Sequence, residues 1–348
     1  MKKNKKICII GHFGFGKEYF DGQTIKTKIV TEELKHKYGN KNVTMIDTEN
    51  GKKKVVTLPF LLLKSLKEHD NVIILPAHNG VRVIAPLLAV ENRIFKRKIH
   101  YVVIGGWLPE LVLQKKYLKK YLKTYNGIFV ETKTMQASLV KQGFDNIFIM
   151  PNFKNLSIRR GSELAYDISE PLKLCTFSRV SKEKGIEDAV KAVSIVNQKM
   201  GREVFTLDIY GQVDSRQYDW FETLMKTACK CVKYKGVASF EKSVDVLKDY
   251  YALVFPTRFY TEGIPGTIID AYAAGIPVIA SRWESFEDVI DEEETGLGYR
   301  FTDIDNLVEL LLSIALSPNR LNPLKQNCLN KAMNFTPERA MQTLMEAL

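Results

Sequence analysis

The chain has no uncharged apolar stretch approaching the roughly 18 residues that a membrane span requires. Its first apolar run, Ile7 to Ile10, is too short for a signal-peptide core and leads into glycines, which suits a strand entering a turn. Cysteine is sparse: five residues, odd in number and scattered. Cys229 and Cys231 form a lone C-x-C without the paired spacing of a zinc site. There is no repeat of roughly 20–50 residues and no low-complexity tract, which excludes solenoids and arrays. Together these absences predict a reduced, cytoplasmic, non-spanning enzyme or binding protein.

What is present is length, apolar content and unevenly placed charge. At 348 residues the chain is about twice the usual domain size, so two domains are expected. A hydrophobic content of 45% is ample for packed cores. Residues 1–165 hold 30 Lys and Arg against 13 Asp and Glu, a net +17, while the remainder holds 21 against 27, a net −6. A basic first half facing something anionic, joined to a mildly acidic second half, points to two domains with different partners.

Short β-branched or apolar runs alternate with helix-length segments. Strands are expected at 6–11, 42–47, 71–75, 99–105, 127–130 and 146–150, then at 172–178, 204–211, 231–236, 251–256, 276–281 and 296–301. This is the pattern of parallel βαβ units, so each half is expected to form a doubly wound α/β sheet. The expected division is a first domain over 1–155, a polar linker over 156–170, a second domain over 171–335, and a C-terminal helix over 336–348 able to pack back on the first domain. In open α/β sheets ligands bind beyond the C-terminal strand ends, so residues there are the functional candidates.

Three such loops carry chemistry. After strand 6–11, Gly11, Gly16 and Lys17 match most of a P-loop. Glu18 stands where that motif needs a hydroxyl for magnesium, and its carboxylate would repel phosphates. The expectation is a mobile loop around Gly16 that admits a phosphate or sugar. After strand 172–178, Arg179 and Lys184 flank a helix start, which suits a diphosphate: a bidentate guanidinium, a point-charge ammonium and free backbone N–H groups. A solvated basic loop is the plainer alternative.

The third loop opens RFYTEGIPGTIIDAYAAGIPVIAS (258–281), with Glu262 before an expected helix 263–274 and Asp270 eight residues later. Rising about 1.5 Å per residue, the helix puts these two backbones about 12 Å apart. Carboxyl pairs that hydrolyse one glycosidic bond lie no more than about 9.5 Å apart. The wider spacing suits two grips on one elongated ligand, with Gly263 and Gly266 letting it approach unpaired backbone N–H groups. The alternatives are a dipole-stabilising acid at 262 and a solvent-facing acid at 270. The apolar surroundings favour a buried helix instead, where an unpaired acid is costly.

The ordered set Arg179, Lys184-Gly185, Glu262-Gly263, Asp270-Ala271 and Ala274-Gly275-Ile276-Pro277-Val278-Ile279-Ala280 resembles the retaining, GT-B fold glycosyltransferases of family 4. The resemblance is strongest over 172–301 and weaker across the rest. It implies two Rossmann-like domains facing each other across a cleft, a nucleotide-sugar donor and no metal cofactor. Arg179 and Lys184 would hold the donor diphosphate, with Gly16 against the phosphates. Glu262 with Gly263, Ile264, Gly266 and Thr267 would hold the donor sugar, and Asp270 would meet the ribose. His78 matches a less uniform family histidine that would polarise the reacting sugar. Asp270 replaces the family's usual Glu, Gly105-Gly106-Trp107 stands where many members have a His, and Pro265 removes one backbone donor.

By the same resemblance the sugar passes, with retention, to a hydroxyl of a lipid-linked saccharide in cell-surface polysaccharide synthesis. A sugar-nucleotide epimerase and a non-catalytic donor-binding protein at the membrane are the alternatives. Asp303-Ile304-Asp305 reads as a helix N-cap rather than a metal motif. In ELVLQKKYLKKYLKTY (110–125), Leu111, Leu118, Leu122 and Tyr125 form an apolar stripe ringed by Lys115, Lys116, Lys119, Lys120 and Lys123. With RIFKRK (93–98) nearby, residues 93–125 are expected to dock on an anionic membrane at the inner face of the cell membrane; core packing is the alternative. No motif that reads nucleic acid is present, so no such partner is expected.

Overall fold

The computed structural model describes residues 5–15, 22–49 and 57–348. Its contacts divide the chain into two units, Met1–Asn155 with Phe335–Leu348, and Leu156–Asn334. Each unit is built on one six-stranded sheet whose paired neighbours run parallel.

The first sheet contains β1 (Ile7–Gly11), β2 (Val43–Asp47), β3 (Asn71–Leu75), β4 (Lys98–Val102), β5 (Gly127–Val130) and β6 (Ile147–Ile149), in the order β2-β1-β3-β4-β5-β6. The second contains β7 (Leu172–Phe177), β8 (Phe205–Tyr210), β9 (Val232–Gly236), β10 (Ala252–Phe255), β11 (Val278–Ser281) and β12 (Gly296–Tyr299), in the order β12-β11-β10-β7-β8-β9. All twelve strands fall where the alternation placed them; β3 and β5 keep the expected bounds, β4 begins one residue early at Lys98, and all but β3 and β5 are shorter than expected.

The first unit's helices are α1 (Gly22–Tyr38), α2 (Leu58–Glu68), α3 (His78–Phe95), α4 (Leu108–Gln114), α5 (Lys116–Leu122) and α6 (Lys133–Lys141). The second unit has α7 (Ile186–Met200), α8 (Tyr218–Thr227), α9 (Ser243–Leu247), α10 (Gly266–Ala273), α11 (Phe286–Val289), α12 (Ile304–Leu316) and α13 (Leu324–Ala332). Helices α14 (Pro337–Ala340) and α15 (Gln342–Ala347) belong to the first unit.

The period of two along β1 shows how a parallel sheet is covered on both faces. Cys8 and Ile10 join a core with Leu88, Leu111 and Leu118, while Ile7 and Ile9 join another with Val30, Leu34, Met341 and Leu344. Two expectations are corrected. Residues 110–125 are not one helix: the chain breaks at Lys115, with φ −121° and ψ 73°. Leu111, Leu118, Leu122 and Tyr125 are at most 3% exposed, so the stripe expected at the membrane is core of the first unit. Cys229 and Cys231 form a disulfide instead of two reduced thiols; the C-x-C turn sets their Cα atoms 5.2 Å apart, within disulfide range. No helix among the described residues is long and apolar enough to cross a membrane.

Candidate functional site

In the second unit the chain runs from β7 through β8 to β9, then returns to the other side of β7 for β10, β11 and β12. The order therefore reverses between β7 and β10. Loops leaving the carboxyl ends of strands at such a reversal diverge and open a ligand crevice. The loop after β7 carries Arg179 and Lys184; the loop after β10 carries Thr257, Arg258 and Glu262.

These two loops are locked together. Gly185, at φ +67°, follows a 3-10 turn over Lys182–Lys184, and a Cβ there would lie 1.8 Å from the Pro256 carbonyl oxygen. Only glycine permits that approach. The Arg258 backbone N–H donates to the Glu183 carbonyl at 2.9 Å. The Arg258 guanidinium donates to both carboxylate oxygens of buried Asp188, in the first turn of α7, at 2.8 and 2.5 Å. Such fork-to-fork geometry fixes both partners.

The result is a close pair. Lys184 Nζ donates to both Oε atoms of Glu262 at 2.8 Å, with side chains 24% and 16% exposed. The ammonium also lies 5.7 Å from the centroid of the Phe255 ring. The hydroxyl of buried Thr257 donates to Glu262 Oε2 at 3.4 Å, and the Thr257 carbonyl accepts from Ser281 Oγ at 2.6 Å. Arg179 is exposed near the start of its loop, two residues after β7. Across from it, Asp214 is held at a pKa of about 2, chiefly by the hydrogen bond from Arg216, with a smaller contribution from Arg179. Gly211, at φ +134°, permits this approach of the β8 loop, since a Cβ there would meet the Ser178 carbonyl oxygen at 1.8 Å.

Helix α10 begins at Gly266, three residues later than expected, with Pro265 as N-cap at ψ 128°. A proline disfavours helical geometry in the residue before it, so Ile264 and Gly263 stay outside the helix, and the spacing of about 12 Å drawn from a helix at 263 does not apply. Gly263 and Ile264 are buried, Gly266 and Thr267 half-buried. Thr267 Oγ1 is buried without a hydrogen-bond partner, in the first turn of α10, where helix N–H groups also lack intrahelical partners. An unpaired buried hydroxyl costs about 1–3 kcal/mol, which a ligand oxygen would recover. Asp270, 2% exposed, lies within the packed part of α10 beside Ile268, Ile269 and Ala271, so it is not a solvent-facing acid.

In the first unit the order reverses between β1 and β3. His78, exposed, is the first residue of α3 after β3, and its ring meets the edge of Trp107 with centroids 5.3 Å apart. The Trp107 indole N–H donates to the Ile104 carbonyl at 2.8 Å. Gly16, on the loop after β1, lies outside the described residues. The sequence did not signal the buried ion pair of Lys26 on α1 with Glu131 after β5, 2.7 Å apart. Lys26 also donates to the Val103 carbonyl at 3.2 Å, and Gly105 N–H donates to Glu131 at 3.2 Å, so the pair braces the loop after β4. Partners 105 residues apart leave no local pattern, and the same holds for Arg258 with Asp188 at 70.

Among the described residues no three His, Cys, Asp or Glu side chains cluster to hold a metal ion. Asp303 is the N-cap of α12, accepting from Asn306 N–H at 2.9 Å and from Arg300 Nε at 2.8 Å. A cavity of about 370 Å³ does exist in the second unit, but Pro171, Tyr251 and Ile276 place it at the amino ends of β7, β10 and β11. The ligand crevice of an open sheet lies at the opposite ends, so the strand reversal rather than this cavity marks the site.

Residues 171–316, within the second unit, match the family model described as Glycosyl transferases group 1. The amylovoran biosynthesis glycosyltransferase AmsK of Erwinia amylovora is 22% identical over 59% of this chain, and the match spans about half (53%) of that relative's length. Among solved structures, HepE of Anabaena in complex with UDP and glucose superposes with a TM-score of 0.74 at 14% identity, covering 98% of both chains. The lipopolysaccharide outer core galactosyltransferase WaaB superposes with a TM-score of 0.71 at 16% identity, again covering 98% of both. The two-sheet architecture is the GT-B fold of these neighbours.

Proposed function

We propose that this chain transfers a sugar from a nucleotide-sugar, held by the second unit, to a hydroxyl of a saccharide acceptor taken by the first. The observation that carries the reading is the Lys184–Glu262 pair at the strand reversal, followed within one turn of chain by the start of α10 and its unpartnered Thr267 hydroxyl. A diphosphate needs cations and N–H donors, a sugar needs a carboxylate and hydroxyl partners, and both sets occur on adjoining loops. HepE has been solved with UDP-glucose, which makes a uridine nucleotide the first donor to test.

On donor arrival, the Lys184 ammonium shares its charge with the diphosphate while Glu262 turns to the sugar hydroxyls. Gly263, Ile264, Gly266 and Thr267 line that turn, and Asp270 supports the ribose end. A cation about 4 Å from the departing phosphate is worth up to about 4 kcal/mol at an effective dielectric near 20. Realised only in the transition state, that is roughly three orders of magnitude in rate. With Arg179, Lys184 and the α10 N-terminus opposing the developing charge, transfer proceeds without a metal. Retention follows a front-face route through an oxocarbenium-like state, in which the leaving diphosphate takes the acceptor proton. His78 polarises the reacting sugar. The acceptor is lipid-linked, in surface polysaccharide synthesis, with the basic first unit against the anionic inner face of the cell membrane. AmsK, named for amylovoran biosynthesis, supports the polysaccharide part of this reading.

A thermal-shift screen of UDP-, GDP-, ADP- and CDP-sugars with and without EDTA tests the donor. One nucleotide class should raise the melting temperature equally in both conditions. Loss of the shift with EDTA would refute metal independence. A modified sugar formed without acceptor would identify an epimerase, and tight binding without turnover a donor-binding protein.

A further inference from the structure

The apolar stripe of residues 110–125 is core, yet the same layer of helices carries a different apolar surface. On α2, Phe60 is 73% exposed and Leu63 is exposed beside it, while Leu62, Ser65 and Leu66 face inward. On α3, Val83, Val90 and Ile94 are exposed, the last at 76%, with half-buried Leu87 between them. These four positions recur at helical spacing opposite Val81, Ile84, Ala85, Leu88 and Ala89, which pack on the sheet. Leu113 and Tyr117 are exposed across the α4–α5 break. Helix α2 packs on α3 and α3 on α5, so these side chains share one outer face of the first unit.

A helix over a sheet ordinarily turns a polar face to water, and exposed apolar positions gathered in one patch mark an interaction surface. The charge around this patch identifies the partner. Residues 58–123 contain twelve Lys and Arg against four Asp and Glu. Lys64, Lys67, Arg93, Lys116 and Lys120 are exposed on these helices; the acids there are Glu68 and Glu110, exposed, and Glu91, half-buried. Apolar side chains interleaved with cations suit a leaflet rich in anionic lipid, where the first enter the acyl boundary and the second meet headgroups. A second copy of the chain would bring like charge against like.

We propose that the outer face of α2, α3 and the α4–α5 break docks on an anionic bilayer, with Phe60, Leu63, Val90 and Ile94 entering the interface and Lys64, Lys67, Arg93, Lys116 and Lys120 meeting the headgroups. The proposal rests on the membrane-side part of the function given above, replaces the buried 110–125 stripe as the inserting element, and is independent of the transfer chemistry.

Co-flotation with phosphatidylcholine vesicles, with and without phosphatidylglycerol, tests it. The full chain should float with the anionic vesicles only. Phe60→Ser with Ile94→Ser should weaken that binding about tenfold, and Lys64→Gln with Lys67→Gln about fivefold per charge removed. Both variants should keep the wild-type melting temperature and donor-induced shift, which separates loss of docking from loss of fold. Undiminished flotation of the Phe60/Ile94 variant would overturn the proposed face while leaving membrane binding elsewhere. A wild-type chain that ignores anionic vesicles would overturn the face and the membrane-side reading together, leaving donor chemistry intact. A dimer in solution that Ile94→Ser dissolves would assign the face to a second copy instead.

Discussion

Lys184 Nζ sits 2.8 Å from each carboxylate oxygen of Glu262, a residue 78 positions further along the chain. Both side chains keep some exposure, and solvent screening limits a pair of this kind to about 1 kcal/mol. The pair is therefore easily opened, and each partner can be redirected to a ligand without a large penalty. Lys184→Ala should lower transfer about 100- to 1000-fold, at the scale of one cation lost from a departing phosphate. Glu262→Gln keeps the shape and loses the charge; it and Arg179→Ala should also cut turnover strongly. Steady-state kinetics alongside melting curves check this, and wild-type turnover by all three variants with intact folds would refute the site.

The glycine at 185 is asked for two things at once: a left-handed backbone at φ +67° and a surface bare enough for the Pro256 carbonyl. Gly201, at φ +66°, has the first demand and open space around it. Gly201→Ala should therefore cost about 1 kcal/mol, from backbone strain alone. Gly185→Ala should cost about 3 kcal/mol or more, because the β10 loop has to move as well. It should also weaken donor binding more than Gly201→Ala does. Equal effects of the two substitutions on melting and on donor affinity would show that the loop contact is unimportant.

Arg258 holds Asp188 through two nitrogens of one planar group, a geometry a lysine cannot copy. Arg258→Lys should keep the charge and lose the fork, costing about 1–2 kcal/mol of stability. Its second effect is positional, since Arg258 leads the segment that ends in Glu262. Turnover should fall about tenfold at saturating donor, as expected when a supporting group lets a reacting geometry drift. A variant that loses stability but keeps wild-type turnover would limit Arg258 to a structural role.

Strands were legible because central strands such as β1, β3 and β10 are short apolar runs buried along their whole length. The loops at the second sheet's strand reversal were located by the same runs, since each follows the end of an apolar strand, β7 or β10. The amphipathic run at 110–125 misled because periodicity alone does not say which medium an apolar stripe faces. A sheet claimed it, and the break at Lys115 divided it. The surface on α2 and α3 escaped notice because helices such as LPFLLLKSLKE are apolar on more than one side, so inner and outer faces cannot be told apart from pattern. The start of α10 shifted because the reach of Pro265 onto Ile264 outweighed its suitability for a first turn.

His100 gives the first unit a built-in dependence on pH. It lies on β4, 1% exposed, beside the Phe129 ring, and neither ring nitrogen has a hydrogen-bond partner. Burial, reinforced by the charge of Lys98, lowers its pKa from 6.5 to about 4. The unfolded chain takes up this proton near pH 6.5 and the folded chain only near pH 4, so in between the unfolded state binds more protons. Stability from this residue is accordingly complete above pH 6.5, falls as the pH drops toward about 4, and changes no further below that. The interval corresponds to about 3 kcal/mol. His100→Leu removes the titration, so its stability should fall less over the same range. Trp107 is the only tryptophan in the sequence of the first unit, and its emission, with Trp220 and Trp283 replaced by Phe, reports that unit's urea transition. Transitions that shift in parallel with pH whether or not the chain carries His100→Leu would show that the imidazole is not the titrating group.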